Sequence, residues 1–126
     1  MDFSQARILI VDDIEDNRDV LARRLRRQGL VDVHQAADGL EALDRIRSEP
    51  FDLVLLDVMM PRMNGFDVCQ ALRADPDLSG TRILMLTAKG RDTEVSKGLG
   101  LGADGYMTKP FSTKELLAEV RKLLGM

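Results

Sequence analysis

The chain carries a single cysteine, Cys69, so it cannot close an internal disulfide. A lone thiol fits a reducing compartment, and the cytoplasm is the expected location. No apolar run approaches the roughly 20 residues needed to cross a bilayer, so no membrane-spanning segment and no membrane partner are expected. The opening stretch MDFSQARILIVDD has an acid at Asp2 and no basic segment ahead of its apolar core, which is unlike a secretory leader. An excess of basic residues is also missing. With 18 Lys and Arg against 21 Asp and Glu the net charge is −3, which argues against direct binding of nucleic acid. Nor is there a linker, a low-complexity tract or an internal repeat. Residues 1–126 are therefore expected to form one domain, long enough to bury a core and too short for two.

Three short continuous apolar runs are present: RILIVDD from Arg7, FDLVLLD from Phe51 and RILMLTA from Arg82. Their lack of polar alternation predicts strands buried on both faces, as in a parallel sheet. VDVHQA from Val31 alternates, and DGYMT from Asp104 is short, so both read as edge strands. Helical stripes lie between them. Val20, Leu21 and Leu25, with Ala22, form one that stops at Gly29; Leu40, Leu43 and Ile46 form another that stops at Pro50. Phe66, Val68, Cys69 and Leu72 mark a third that ends near Pro76. Val95, Leu99 and Leu101 mark a weaker fourth, loosened by Gly98 and Gly100. Ser112 and Glu115 form a capping box ahead of the fifth, Leu116, Leu117, Val120, Leu123 and Leu124. Five successive strand–helix units predict a doubly wound α/β sheet with right-handed crossovers.

In such sheets the binding crevice lies beyond the carboxyl ends of the strands. There the chain places Asp12 and Asp13 after the first strand, Asp57 after the third, Thr87 after the fourth and Lys109 after the fifth. Two unit charges about 4 Å apart interact by roughly 4 kcal/mol at an effective dielectric of 20. Crowded carboxylates thus call for protons or a cation. Hard oxygen donors with no His or Cys among them select Mg²⁺ over zinc. Lys109 can meet a phosphoryl oxygen and Thr87 can donate a hydroxyl. A carboxylate, a metal and a cation at one rim are the parts needed to form an aspartyl phosphate, and Asp57, on the central strand, is the expected nucleophile.

The motifs VDD at 11–13, DVMMPRMNG at 57–65, TA at 87–88 and GADGYMTKPF at 102–111 together closely resemble response-regulator receiver domains, the phospho-acceptor modules of two-component signalling. The resemblance spans nearly the whole chain. It implies a flavodoxin-like (βα)5 three-layer sandwich whose parallel sheet has the order 2-1-3-4-5. Asp57 would accept a phosphoryl group from the phosphohistidine of a sensor histidine kinase or phosphotransfer protein. Asp13, Asp57 and the backbone carbonyl of Met59 would hold Mg²⁺, with Asp12 acting largely through water. Lys109 would contact the phosphoryl group, Thr87 would swing its hydroxyl toward it, and Tyr106 would follow inward. Met59 and Lys89 would flank the acceptor and tune water access, and the Lys109–Pro110 bond would be cis. The surface of the fourth helix, fifth strand and fifth helix would then address an effector, a linked output domain or a second copy. The chain would be a switch rather than a turnover enzyme.

Several tempting features resolve differently. GLGADG at 100–105 fits a dinucleotide fingerprint, but it follows a helix and precedes a strand, so it reads as a turn with Gly102 as the helix cap. DDIEDN at 12–17 lacks the Gly and terminal Glu of a calcium loop. His34 reads as a structural or exposed residue of an edge strand and Cys69 as a small apolar one. Arg18, Arg23, Arg24, Arg26 and Arg27 read chiefly as a solvated flank paired with Asp16 and Asp19, and otherwise as a docking surface for an acidic or kinase partner. Among rival functions, a haloacid-dehalogenase-type phosphatase would need a D-x-D pair after the first strand and a cap. A flavin carrier would need a phosphate-cradling loop where this chain has carboxylates.

Overall fold

The structure, a computed structural model, describes residues 2–88 and 92–126; Lys89 lies outside the described residues. Five strands alternate with five helices: β1 (Arg7–Val11), α1 (Glu15–Arg27), β2 (Asp32–Ala36), α2 (Gly39–Ser48), β3 (Leu53–Asp57), α3 (Gly65–Ala74), β4 (Arg82–Thr87), α4 (Asp92–Gly100), β5 (Gly105–Thr108) and α5 (Thr113–Leu123). The strands form one parallel sheet in the order β2-β1-β3-β4-β5, as expected, with β2 and β5 at its edges.

The apolar runs are continuous because the sheet is covered on both faces. Leu9, Val11, Val54, Leu56, Ile83 and Met85 point to one side, where they meet Leu43 and Ile46 of α2 and Val68, Cys69 and Leu72 of α3. Their neighbours Ile8, Ile10, Leu53, Leu55, Leu84 and Leu86 point to the other, against Ala22 and Leu25 of α1 and Leu116 and Val120 of α5. Each fully buried Leu or Ile contributes about 2 kcal/mol relative to exposure. Truncating Leu55 at the centre of the sheet would therefore be costly.

Helix ends follow their local chemistry. Asp38 caps α2 by accepting the Glu41 N–H, Asn64 and Asp67 form a capping box on α3, and the Ser112–Glu115 box stands at α5. Gly29 (φ +99°) ends α1, and Gly102 (φ +104°) follows α4 in the left-handed region, so GLGADG is the turn into β5.

Two details depart from expectation, and one set of contacts has no trace in the sequence. Val20, Leu40 and Leu99 are exposed; on α1 and α2, Ala22 with Leu25, and Ala42 with Leu43 and Ile46, already fill the inward stripes. Gly98 has a packing role besides its helix cost. A Cβ there would lie 2.9 Å from Met85 Sδ and 3.2 Å from the Tyr106 ring, so α4 approaches the sheet closely at this point. Finally, Arg73 of α3 ties down the chain beyond α4. Its Nε donates to the Gly102 carbonyl (2.8 Å), Nη1 to the carbonyls of Ser79 (3.0 Å) and Thr81 (2.7 Å), and Nη2 to Asp104 (2.8 Å).

Candidate functional site

Parallel register brings the strand ends level: Val11 pairs with Leu56, Asp57 with Leu86, and Thr87 with Thr108. The residues that follow therefore share one rim. Carboxylate oxygens of Asp12, Asp13 and Asp57 lie within 4.8 Å of one another. Asp12 and Asp57 are buried, at 5% and 8% exposure, while Asp13 faces solvent. Lys109 Nζ stands 3.5 Å from Asp12 Oδ2, so the ammonium sits on the acidic group from the Asp12 side. Backbone donors take part of the charge: Ile14 N–H donates to Asp12 Oδ1 at 2.9 Å and Met59 N–H to Asp57 Oδ1 at 3.2 Å.

These donors do not balance the site. Asp57 is pushed from the ordinary 3.8 up to about 6, first by burial and then by the negative charge of Asp12, with Asp13 adding to it. Lys109 and the Met59 amide pull the other way and lose. One ammonium thus faces three carboxylates whose oxygens are close enough to share a small hard cation. The donor set is all oxygen, as Mg²⁺ requires, so these residues fit that ion.

The backbone around Asp57 leaves no slack. Gly65, the first residue of α3, donates its N–H to Val58 O at 3.0 Å, and a Cβ there would stand 2.6 Å from the Asp57 carbonyl oxygen. No side chain fits at that position. At the other end of the rim, Lys109 N–H donates to Thr87 O at 2.6 Å, and the Lys109–Pro110 bond is cis.

Thr87 is fully buried at the end of β4. Tyr106, partly buried on β5 beside Gly98, has its phenol raised, first by burial and also by the charge of Glu94, while the Thr87 hydroxyl lowers it. Thr87 thus lies between the acidic group and Tyr106. Met59 is exposed.

The other residues singled out in the sequence separate from the rim. His34 sits in a charged network at the opposite end of β1 and β2, and Cys69 is fully buried with its thiol pushed up by burial. No ion pair links the α1 arginines to Asp16 or Asp19 among the described residues. Arg26 instead donates to the Val33 carbonyl at 3.0 Å, and Arg18 Nη1 to the Asp12 carbonyl at 2.7 Å. Arg18 was therefore hidden inside a run of like residues. Its position in the first turn of α1, just past the acidic pair, was the available signal. A groove of about 310 Å³ also opens at the rim, with Asp57 and Lys109 lining it together with Leu21, Leu55, Leu86 and Phe111.

Comparison with known proteins agrees with this geometry. Residues 8–121 match the family model described as response regulator receiver domain. The chain is 49% identical over 124 residues to the DNA-binding response regulator MtrA of Mycobacterium tuberculosis, covering 98% of this chain and 53% of that one. It thus spans about half the length of the curated relatives it matches. Among solved structures, the chemotaxis protein CheY4 of Vibrio cholerae superposes with a TM-score of 0.87 at 36% identity, covering 94% of this chain and 98% of that chain. The signal receiver domain of a histidine kinase from Syntrophus aciditrophicus gives a TM-score of 0.86 at 32% identity, covering 95% and 90%.

Proposed function

The chain belongs to the response regulator receiver domains of two-component signalling, and on that premise we propose that Asp57 is its phospho-acceptor. The observation that carries this reading is the convergence of the Asp12, Asp13 and Asp57 carboxylates within 4.8 Å, beside Lys109. A haloacid-dehalogenase-type phosphatase has no support from these matches, and its D-x-D pair is absent after β1.

In the proposed reaction an Asp57 carboxylate oxygen attacks phosphorus in line with the leaving group. The P–N bond of the donor phosphohistidine breaks, and its electron pair returns to the imidazole nitrogen, which takes a proton from solvent. Asp13, Asp57 and the Met59 carbonyl would hold Mg²⁺ directly, with Asp12 acting through water. When bound, the ion supplies positive charge against the phosphoryl oxygens. Lys109 meets a second phosphoryl oxygen, which frees it from Asp12. Asp57 is 8% exposed, and exposed Met59, two residues on, would tune the access of water to the acceptor.

The product adds about −1.5 to −2 charge and strong acceptor oxygens. These draw the Thr87 hydroxyl and Lys109 inward, Tyr106 follows Thr87, and the α4–β5–α5 surface changes. The donor is a sensor histidine kinase or phosphotransfer protein, whose phosphohistidine must reach the rim past exposed Ile14, Val20 and Met59. The reader is a separate effector, a linked output domain or a second copy. Residues 1–126 act as one receiver unit in the cytoplasm, handling only its own phosphoryl group.

With Mg²⁺ and acetyl phosphate the protein is expected to gain the mass of one phosphoryl group, and Asp57→Asn to gain none. An undiminished gain in that variant would overturn the reading.

A further inference from the structure

Arg18 makes two contacts that belong to neither a solvated flank nor an ion pair. Nη1 donates to the Asp12 carbonyl oxygen at 2.7 Å, and Nε donates to Gln35 Oε1 of β2 at 3.2 Å. The Asp12 amide donates in turn to the Ala36 carbonyl at 3.3 Å. The backbone of Asp12 is thus gripped on both sides, at its N–H by the end of β2 and at its carbonyl by a guanidinium braced on β2.

The gripped carbonyl belongs to the peptide plane that joins Asp12 to Asp13. A peptide unit is rigid, so holding its oxygen restrains the Asp13 N–H and the Cα from which its side chain departs. That matters because the Asp13 carboxylate, among the described residues, takes no hydrogen bond of its own. The Ile14 N–H and Lys109 hold the Asp12 carboxylate, but nothing equivalent holds Asp13, and Ile14, at the N-cap of α1, offers no side-chain cap. We propose that Arg18 is a positioning residue that locks the Asp12–Asp13 peptide and so aims both carboxylates at the space beside Asp57.

The charge of Arg18 pushes the opposite way from its geometry. A guanidinium beside the acidic group repels a divalent cation, so removing it would tighten Mg²⁺ binding if charge were its main role. Removing a brace weakens binding instead. Lysine separates the two, since it keeps the charge and loses the planar fork that reaches Asp12 and Gln35 together.

The inference rests on the metal site proposed above, and the test distinguishes the two. In the full chain, Mg²⁺ affinity is measured by calorimetry, and phosphorylation by acetyl phosphate is followed across Mg²⁺ concentrations. Wild-type protein that took up neither ion nor phosphoryl group would overturn the metal site itself. With wild type active, Arg18→Gln and Arg18→Lys are each expected to raise the half-saturating Mg²⁺ concentration about 10-fold. The rate at saturating Mg²⁺ should change less than about twofold. Gln35→Ala, which leaves Arg18 in place but removes its brace, should give a smaller shift in the same direction. Unchanged or tighter Mg²⁺ binding in Arg18→Gln, or wild-type behaviour in Arg18→Lys, would overturn the inference. A metal-free readout stands beside these: amide exchange at Asp13 and Ile14 is expected to quicken in Arg18→Gln but not in the distant Arg7→Gln, and equal protection would count against the lock.

Discussion

The two ends of the parallel sheet handle charge in opposite ways. At the amino ends of β1 and β2, Arg7 donates to Asp32 at 3.0 Å, to Glu49 at 2.6 Å and to the Pro50 carbonyl at 3.1 Å. His34 Nε2 lies 2.6 Å from Asp32, while Arg45 Nη2 reaches His34 Nδ1 at 3.1 Å and Glu49 at 3.2 Å. Both carboxylates there have partners, and both are held below their usual range, Asp32 chiefly by its bond to His34 and Glu49 chiefly by its bond to Arg7. At the carboxyl ends three carboxylates meet one ammonium, and Asp57 rises to about 6. The foot of the sheet spends its charges on holding itself together. The rim keeps an unrelieved repulsion, which only a ligand or a proton removes.

The largest effect that sharpens this contrast is metal-linked. Mg²⁺ at about 100 times its dissociation constant should stabilise the fold by about 2.7 kcal/mol. A rise in Tm of that origin should survive Arg7→Gln and shrink in Asp57→Asn. An equal rise in Asp57→Asn would place the cation elsewhere. Next comes a steric lesion: Gly65→Ala, whose Cβ meets the Asp57 carbonyl, should cost about 2 kcal/mol in denaturant melts and slow phosphorylation.

Smaller is the gain from Asp57→Asn without metal. A shift from 3.8 to about 6 corresponds to about 3 kcal/mol. Solvent at the open rim screens it, leaving about 1 kcal/mol expected. The sign follows from the raised pKa. Protonation of Asp57 favours the fold fully below about pH 4, and that contribution is lost as pH rises through about 6. The Asn variant should therefore be the more stable one above pH 6, with the difference closing toward pH 4. A constant difference across that range would break the account of the rim.

Arg7→Gln should act least and with the opposite sign. Asp32 and Glu49 have lowered pKa values, so their contribution is present at neutral pH and fades as pH falls below their ordinary range. The variant should lose Tm at neutral pH, flatten the acid limb of the stability curve and leave phosphorylation intact.

Where burial decides the outcome, the sequence was readable. The two-sided strands announced themselves by unbroken Ile, Leu and Val, and Ser112 with Glu115 marked α5 because capping is local chemistry. The five rim groups were legible because parallel strands end together. Contacts between a side chain and a distant backbone carbonyl leave no such trace. Arg18 reads as an ordinary helix-surface cation, and nothing in the sequence around it or around Arg73 shows which carbonyl each will reach. Gly98 follows the same rule. Its helix cost is visible in sequence, whereas the Tyr106 ring and Met85 that fill the vacated space come from other strands. His34 was rightly kept from the rim, but the guanidiniums around it were not foreseeable from an alternating edge strand.

Among the described residues, α4 is held in its last turn and just beyond it, by Lys97 over the Phe66 ring at 4.7 Å, Gly98 against Tyr106 and Gly102 in the grip of Arg73. A rod clamped near one end turns rotation into displacement that grows with distance from the clamp. Nine helical residues span about 13 Å, so a tilt of about 10° at the clamp carries the far tip by about 2 Å. That tip is the one that follows Thr87 in the chain. A nudge of less than a bond length at the clasp would thus arrive, amplified, at the amino end of α4.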